Sequence, residues 1–325
     1  MFLPKLAPLL RPASFAIAFI AVTACGAPPA SAPIGAGATS RAPSSWRPPT
    51  NGSPTVVTSD ASQNEIVICG PGSPCNDCKT IGSGLSLPGG VATSNGPGHN
   101  FAKSPLDYVA DYGNQRVVVF TNACETVTVL DDSGYFPTDV AVAHDGTVAV
   151  TNLCAAPSCT GAGNISFYAP GSTTVTRVAT GLMSQYYYGD FDKHGNFYND
   201  GLSGSTVEVG VVPRGSTTDK ATGISGIKVP GGIQIARNGT INIDDQGCPC
   251  IQIYKGNHNA GTVSLPGVKE PVSFALDKSN KHLWVTDVSS KTVDELPYPK
   301  GGKILYQFTG FSEPIGVGVT PADNP

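Results

Sequence analysis

The stretch PTDVAVAHDGTVAVTN, residues 137–152, contains two short runs of alternating apolar residues on either side of a His-Asp-Gly turn. Alternation with a period of two residues is typical of β-strands that bury one face, and a short polar turn with a Gly favours a hairpin. The stretch therefore predicts two antiparallel strands, the second of which ends on Asn152.

The same pattern returns along the chain. In each unit a first strand opens on a Pro (Tyr188 in one unit) and a second strand ends on Asp or Asn. The further copies are PGGVAT (88–93), YGDFDKHGNFYND (188–200), PGGIQIARNGTINIDD (230–245), PVSFALDKSNKHLWVTD (271–287) and the partial PIGVGVTP (314–321). The second strands end near Asp60, Asp111, Asn152, Asp200, Asp245 and Asp287, at spacings of 41 to 51 residues. A repeat of this length holds four short strands, which is the unit of a β-propeller blade.

The two ends of the repeated region complement each other. The C-terminus supplies only a first strand, at 314–319, whereas VVTSD, NEIVI and KTIG, between residues 56 and 82, supply strands two to four. Joining them removes exposed strand edges. The sequence therefore predicts an all-β, six-bladed propeller over residues 55–325. A β-sandwich is the alternative, but it would not need a repeat of about 45 residues.

The N-terminal residues read as an export signal. Lys5 and Arg11 precede the apolar run FAIAFIAVTA (15–24), which is too short to span a membrane as a permanent helix. The following VTAC resembles a bacterial lipobox, which implies removal of residues 1–24 and a lipid on Cys25; simple cleavage after Ala24 is the alternative. Residues 25–54 are rich in Pro, Ala and Ser and predict a tether. We expect an exported protein, anchored by lipid to the bacterial envelope on the periplasmic side or at the cell surface.

Eight cysteines follow Cys25, and an even number in an exported chain favours disulfides. Cys154 and Cys159 flank a short loop and form the simplest pair. Cys248 and Cys250 pair with each other or with partners elsewhere, and Cys124 stands apart from the rest. Cys69, Cys75 and Cys78 also have a spacing that metal ligands use, although the predicted compartment favours disulfides here as well.

The composition of the chain is not that of a nucleic-acid-binding protein. Charged residues make up 14% of the chain and the net charge is −4, with no basic stripe, so the sequence predicts no nucleic-acid partner. The 39 glycines and 28 prolines indicate many turns.

One unit also carries a family resemblance. YVADYGNQRVVVF (108–120) resembles the core of an NHL repeat, and LWVTDVSSKTVDEL (283–296) is a poorer copy. The resemblance implies a six-bladed propeller of the NHL-like or gluconolactonase-like kind, a superfamily that contains both binding proteins and hydrolases. It also implies that the loops leading into the innermost strands share one face, around the mouth of the central channel.

On that face the repeat places two candidate groups. The carboxylates of Asp139, Asp190, Glu270 and Glu313 would gather near the channel mouth and suit a hard cation such as Ca²⁺, unless they only cap turns or face water. The run Tyr186-Tyr187-Tyr188 offers flat amphipathic surface for a ligand, or else fills the channel mouth. The Asp or Asn that ends each second strand recurs in nearly every unit, which favours a structural role in binding backbone amides.

These features predict a binding module for a protein, a peptide or a glycan. A metal-dependent lactonase-like or lyase-like enzyme is the alternative, and a scaffold subunit of an envelope assembly is a second one. No HExxH or Gly-x-Ser-x-Gly motif occurs, and His144 falls at a hairpin tip, so no catalytic residue is assigned.

Overall fold

Residues 54–70, 75–94 and 105–320, which the computed structural model describes, form six antiparallel sheets. In chain order the first strands are β1 (Thr55–Asp60), β2 (Glu65–Cys69), β3 (Asn76–Cys78), β4 (Pro88–Ser94), β5 (Leu106–Asp111), β6 (Arg116–Phe120), β7 (Thr126–Asp131), β8 (Tyr135–Val142), β9 (Val148–Ala155), β10 (Gly161–Ala162), β11 (Ile165–Tyr168) and β12 (Arg177–Ala179). Then follow β13 (Gln185–Phe191), β14 (Phe197–Ser203), β15 (Thr206–Val212), β16 (Lys220–Ala221), β17 (Pro230–Ile235), β18 (Ile241–Asp245), β19 (Cys250–Lys255), β20 (His258–Ser264), β21 (Pro271–Leu276), β22 (His282–Asp287), β23 (Thr292–Pro297), β24 (Tyr306–Phe308) and β25 (Pro314–Thr320). Two 3₁₀ turns cover Ile81–Ser83 and Tyr112–Asn114.

Each sheet is one blade of a β-propeller, as the repeat predicts. Blade 1 has the order β25-β1-β2-β3, and blade 2 runs from β4 to β7. Blade 3 consists of β8, β9, β11 and β12, with the short β10 also on β9. Blades 4, 5 and 6 run from β13 to β16, from β17 to β20 and from β21 to β24. Blade 1 confirms the predicted closure, since β1 pairs with β25 from Thr55↔Thr320 to Asp60↔Pro314.

The hydrophobic core lies between the blades. In the described part of the chain, each pair of neighbouring blades buries its own apolar cluster. The cluster between blades 6 and 1, for example, packs Trp284 and Phe308 against Val56 and Val317. Each blade lies between two neighbours, so strands such as β8 and β9 bury both of their faces rather than the one face that the alternation suggested.

The eight cysteines of this region form four disulfides: Cys69–Cys75, Cys78–Cys124, Cys154–Cys159 and Cys248–Cys250. The pair Cys154–Cys159 is confirmed, and Cys248 takes the option of pairing with Cys250. Cys69, Cys75 and Cys78 are disulfide-bonded, so they do not form a thiolate metal site. Four disulfides indicate a protein that folds in a non-reducing, extracytoplasmic environment.

Two details of the predicted repeat are wrong. KTIG (79–82) is not the fourth strand of blade 1; β3 ends just before it, and its last two residues belong to the 3₁₀ turn at Ile81–Ser83. In blade 4 the first strand is entered at Tyr186 rather than Tyr188, because Tyr186 pairs with Gly201 just as Pro88 pairs with Asp111. Gly201, not Asp200, therefore holds the position of the recurring Asp.

The predicted signal peptide, the lipidation site at Cys25 and nearly all of the tether lie outside the described residues and stay predictions. Among the residues that the structure describes, no helix is long and apolar enough to cross a membrane.

The closed ring leaves no room for a side chain at Gly316, in the strand that completes it. A Cβ at this position would lie 2.6 Å from the backbone oxygen of Gly89 and from the nitrogen of Val91. We expect Gly316→Ala to lower the free energy of unfolding by about 1–3 kcal/mol, because backbone atoms must move to admit the methyl group. Urea denaturation would measure this. Gly70→Ala is the matched control, since its nearest neighbour atom is 4.0 Å away; equal stability of the two variants would contradict this account of closure.

Candidate functional site

Six residues surround the mouth of the channel, one from each blade. Each comes directly before the residue of the innermost strand that pairs with the recurring Asp position of the second strand. Strand register fixes these positions, because Pro88, Pro137, Tyr186, Pro230, Pro271 and Pro314 pair with the ends of the second strands. We call the six preceding residues the mouth ring: Leu87, Phe136, Gln185, Val229, Glu270 and Glu313. All six are at least partly accessible to solvent.

Aspartates at the ends of the second strands hold much of this ring in place. The carboxylate of Asp60 accepts hydrogen bonds from the backbone N–H groups of Ser312 (2.7 Å) and Glu313 (3.0 Å). Asp287 does the same for Lys269 (2.8 Å) and Glu270 (3.2 Å). The predicted structural role of the recurring Asp is therefore confirmed, although the amides belong mainly to the loop that leads into the blade rather than to the following turn.

Blades 2 and 5 use the same device. The carboxylate of Asp111 accepts from the N–H of Ser86 (2.7 Å), and that of Asp245 accepts from the N–H groups of Lys228 (3.2 Å) and Val229 (3.1 Å). All four carboxylates are fully buried, so losing one would leave partly buried amides without their acceptor.

Between blades 2 and 3 the ring is aromatic. The ring of Phe136 stacks on that of Tyr112, in the 3₁₀ turn of blade 2, with centroids 4.8 Å apart and an interplanar angle of 20°. Both side chains are partly exposed, and burial raises the pKa of the Tyr112 hydroxyl. Leu87, the ring residue of blade 2, is 43% exposed. The mouth ring thus has an apolar and aromatic side and, across blades 6 and 1, an acidic side formed by Glu270 and Glu313.

The three tyrosines proposed as a ligand surface are buried instead. Tyr186, Tyr187 and Tyr188 are at most 5% exposed. Tyr186 belongs to the core between blades 3 and 4, and the backbone oxygens of Tyr186 and Tyr187 accept hydrogen bonds from Thr138 Oγ1. Tyr186 thus packs between two blades, the side chains of Tyr187 and Tyr188 are also buried, and none of the three lines the channel cavity.

The four carboxylates that the sequence predicted at the channel mouth lie in two different places. Asp139 and Asp190 line the central channel, but at different depths, because the register of blade 4 places Asp190 two residues further along its strand. Glu270 and Glu313 stand in the mouth ring outside this cavity, where Glu313 accepts a hydrogen bond from the Ser62 hydroxyl. The structure therefore brings together two of the four.

Inside the channel, the polar side chains join one blade to the next. Asp139 Oδ2 accepts from the N–H of Gly189 (3.1 Å), and Asp190 Oδ2 accepts from the N–H of Ile235 (2.8 Å). Gln234 Oε1 continues the series with the N–H of Leu276 (2.7 Å). The cavity at this level has a volume of only about 50 Å³, which admits a few water molecules or an ion and is well below the roughly 300 Å³ at which sites for drug-sized ligands begin.

The fit of this channel to Ca²⁺ is poor. Calcium takes six to eight oxygen ligands. The carboxylates of Asp139 and Asp190 already accept backbone hydrogen bonds, and Asp190 Oδ1 also accepts from the N–H of Phe191 (2.8 Å). We therefore derive no chemistry that passes through a channel metal.

Two further carboxylates are buried; the repeat placed Asp200 only at the end of a second strand, and Asp244 was not singled out from the sequence. Asp200 and Asp244 occupy the positions held by Ser59, Thr151 and Thr286 in other blades, and they are fully buried. Those hydroxyls donate to the backbone of the next blade, as Ser59 Oγ does to Gly89 O (2.6 Å) and Thr151 Oγ1 to Tyr187 O (2.8 Å). A carboxylate has no proton to donate, whereas a carboxylic acid has one.

Desolvation accordingly dominates the titration of this region. It raises the pKa of Asp200 and of Asp244 well above the usual value, helped at Asp200 by the charges of Asp139 and Asp244. Burial also raises the pKa of Asp139 to about 7. These groups are held as neutral acids over much of the pH range in which ordinary aspartates are ionised.

Comparisons with known proteins identify the fold and no family. No family model matches the sequence, and a search of the curated proteins finds no matching relative. A structure described as "Crystal structure of Nidogen/Laminin Complex" is similar with a TM-score of 0.62 and 13% identity, covering 82% of this chain and 98% of that one. A protein of unknown function from Bacteroides caccae is similar with a TM-score of 0.57 and 14% identity, covering 82% and 99%. At such identities the likeness shows the fold alone, and the NHL-like or gluconolactonase-like resemblance stays a prediction.

The buried acids predict that the protein is more stable at mildly acidic pH. The pKa of an aspartate in the unfolded chain is about 3.9, whereas the pKa of Asp139 in the folded protein is about 7. Between these values the folded state binds more protons than the unfolded state, so stability falls as pH rises from about 4 through about 7. We expect a higher melting temperature at pH 5 than at pH 8.

Asp244→Thr tests whether the buried acids cause this pH dependence, because it introduces the side chain found at positions 151 and 286. It should raise the melting temperature at pH 8 and reduce the difference between pH 5 and pH 8. A melting temperature that rises from pH 5 to pH 8, or an unchanged pH difference in the variant, would contradict the interpretation.

Proposed function

We propose that this propeller is a binding module that takes an extended segment of a partner protein across the mouth ring. The observation that carries the proposal is the exposed Leu87 together with the Tyr112–Phe136 stack, at the mouth of a channel too small for a drug-sized ligand. The two are linked through Ser86, whose backbone oxygen accepts a hydrogen bond from the N–H of Gly113 (2.8 Å). Aromatic and large apolar side chains that sit partly exposed on a rigid surface are typical anchors of protein–protein interfaces.

The remainder of the ring suits a peptide as well. Glu270 lies across the mouth from Phe136, and Glu313 lies in the blade next to that of Leu87. Neither glutamate forms an ion pair among the described residues. Burial, followed by the charge of Asp287, raises the pKa of Glu270, so a cationic side chain from a ligand would find an acidic group that lacks a counter-charge. An extended segment with an apolar residue and a basic residue several positions apart would match both sides of the ring.

The structural neighbour and the disulfides support this assignment. The structure with the TM-score of 0.62 is that of a nidogen–laminin complex, so a chain of this fold takes part in a protein complex. The disulfides support a binding event outside the reducing cytoplasm. Anchoring through a lipid on Cys25 would hold the mouth ring near the envelope, and a glycan would compete for the same aromatic pair.

Peptide selection tests the proposal directly. We expect a random-peptide library, selected on the purified propeller, to yield peptides that lose at least tenfold in affinity on Leu87→Asp or Phe136→Ala, because truncating or charging an anchor typically costs more than about 1.4 kcal/mol. Affinity would be measured by biolayer interferometry, with circular dichroism to check the fold.

Leu305→Asp is the matched control, because Leu305 is an equally exposed leucine (50%) beside the outermost strand of blade 6. It should leave peptide affinity unchanged. Failure to select any peptide, or peptides that are insensitive to Leu87→Asp and Phe136→Ala, would overturn the proposal.

The metal-dependent enzyme alternative makes a different prediction. Since the channel carboxylates are already occupied by backbone amides, we expect millimolar Ca²⁺ or EDTA to leave the melting temperature unchanged within about 1 °C, as no folded-state site is filled or emptied. Differential scanning fluorimetry would measure this. A rise with Ca²⁺ that Asp139→Ala abolishes would favour the enzyme alternative instead.

A further inference from the structure

A second cavity lies on the opposite face of the propeller, between blades 3 and 4. Its volume is about 250 Å³, compared with about 50 Å³ for the channel. It is bounded by the turns that link strands one to two and three to four in both blades, at residues 143–147, 169–176, 191–195 and 213–215. The cavity is somewhat smaller than the roughly 300 Å³ at which sites for drug-sized ligands begin, so it suits a smaller molecule.

The floor of this cavity is aromatic. The rings of Phe167 and Phe191 meet edge to face, with centroids 6.3 Å apart and an interplanar angle of 65°. Both residues are less than 5% exposed and belong to the core between the two blades. The floor is therefore rigid and apolar, and it favours a ligand with an apolar body.

One wall carries a half-buried guanidinium. Arg177 Cζ lies 3.5 Å from the centroid of the Phe167 ring, and Arg177 Nη1 donates a hydrogen bond to the backbone oxygen of Ser216. No carboxylate pairs with Arg177 among residues 54–70, 75–94 and 105–320. Burial lowers the pKa of this side chain, which is the direction expected for a cation that has lost water without gaining a counter-charge.

The rim adds a second cation. Arg214 Nη2 lies 3.0 Å from Asp145 Oδ2, in an ion pair whose side chains are 69% and 44% exposed. Exposed pairs of this kind contribute little to stability, so a ligand anion can draw Arg214 away from Asp145 at small cost. The cavity thus offers two guanidinium groups against one carboxylate.

We propose that this cavity binds a small organic carboxylate. Its carboxylate group would accept hydrogen bonds from the free donors of Arg177, whose planar fork matches a carboxylate in geometry. Its apolar body would lie beside Phe191 and over the stack of Arg177 on Phe167. The site is on the face opposite the mouth ring and does not depend on the function proposed for that ring.

Phenylacetate is a suitable probe, because it joins a carboxylate to an aromatic ring in a molecule small enough for the cavity. We expect saturable binding of phenylacetate to the full-length protein, followed by isothermal titration calorimetry and by the shifts of backbone resonances at the four bounding turns. Three matched compounds dissect the site: 2-phenylethanol lacks the charge, acetate lacks the ring, and inorganic phosphate supplies only an anion. Each should bind at least tenfold more weakly than phenylacetate, because it makes only one of the two sets of contacts.

Substitution of the arginine completes the test. Arg177→Met keeps an apolar chain over Phe167 but removes the charge, and it should weaken phenylacetate binding at least tenfold. Arg237→Met, at the neighbouring groove between blades 4 and 5, is the control and should have no effect. The comparison of compounds on the unaltered protein remains decisive if Arg177→Met fails to fold.

The proposal is overturned by any of three results. These are no saturable binding of phenylacetate at 10 mM, a concentration that would detect even a Kd of about 1 mM; equal binding of phosphate or 2-phenylethanol; or unchanged affinity in folded Arg177→Met.

Discussion

The mouth ring depends on one repeated interaction. In four blades a buried aspartate at the end of the second strand accepts hydrogen bonds from backbone amides of the loop that leads into the same blade. Asp60 and Asp287 each fix two successive amides, and Asp111 and Asp245 do the same work in blades 2 and 5. These bonds join the innermost strand to its neighbour at the channel mouth, where the strand register slips. The entry loops of blades 1, 2, 5 and 6 are held rigidly because these amides are already bound.

Blades 3 and 4 lack this carboxylate, and there the ring differs. Asn152 donates instead to Asn164 and Ser166, and Gly201 takes the position in blade 4, where a Cβ would lie 2.0 Å from the backbone oxygen of Gln185. The mouth-ring residues of these blades are Phe136 and Gln185. The aromatic side of the ring lies between blades 2 and 3, so it includes one of the two blades that lack the carboxylate.

The sequence predicted the blades and their closure well, because a Pro at one end and an Asp at the other mark each strand pair independently of what lies between. The prediction failed in blade 4, where Tyr186 replaces the Pro and Gly201 replaces the Asp. The predicted start of the first strand, at Tyr188, was therefore two residues too late. Leu87 and Phe136 resemble core residues in the sequence, since exposure depends on the loop that presents them and not on residue type. Arg177 was missed for a similar reason: its stacking partner Phe167 belongs to another strand.

The two faces of the propeller thus offer different chemistry, with an apolar and acidic ring on one and a basic pocket on the other. The central claim is that the ring binds the partner. Hydrogen–deuterium exchange, measured with and without a peptide selected on the propeller, tests it most directly. The account predicts slower exchange at residues 112–114 and 135–137 on peptide binding. Slowing confined to residues 143–147 and 213–215, on the other face, would contradict it.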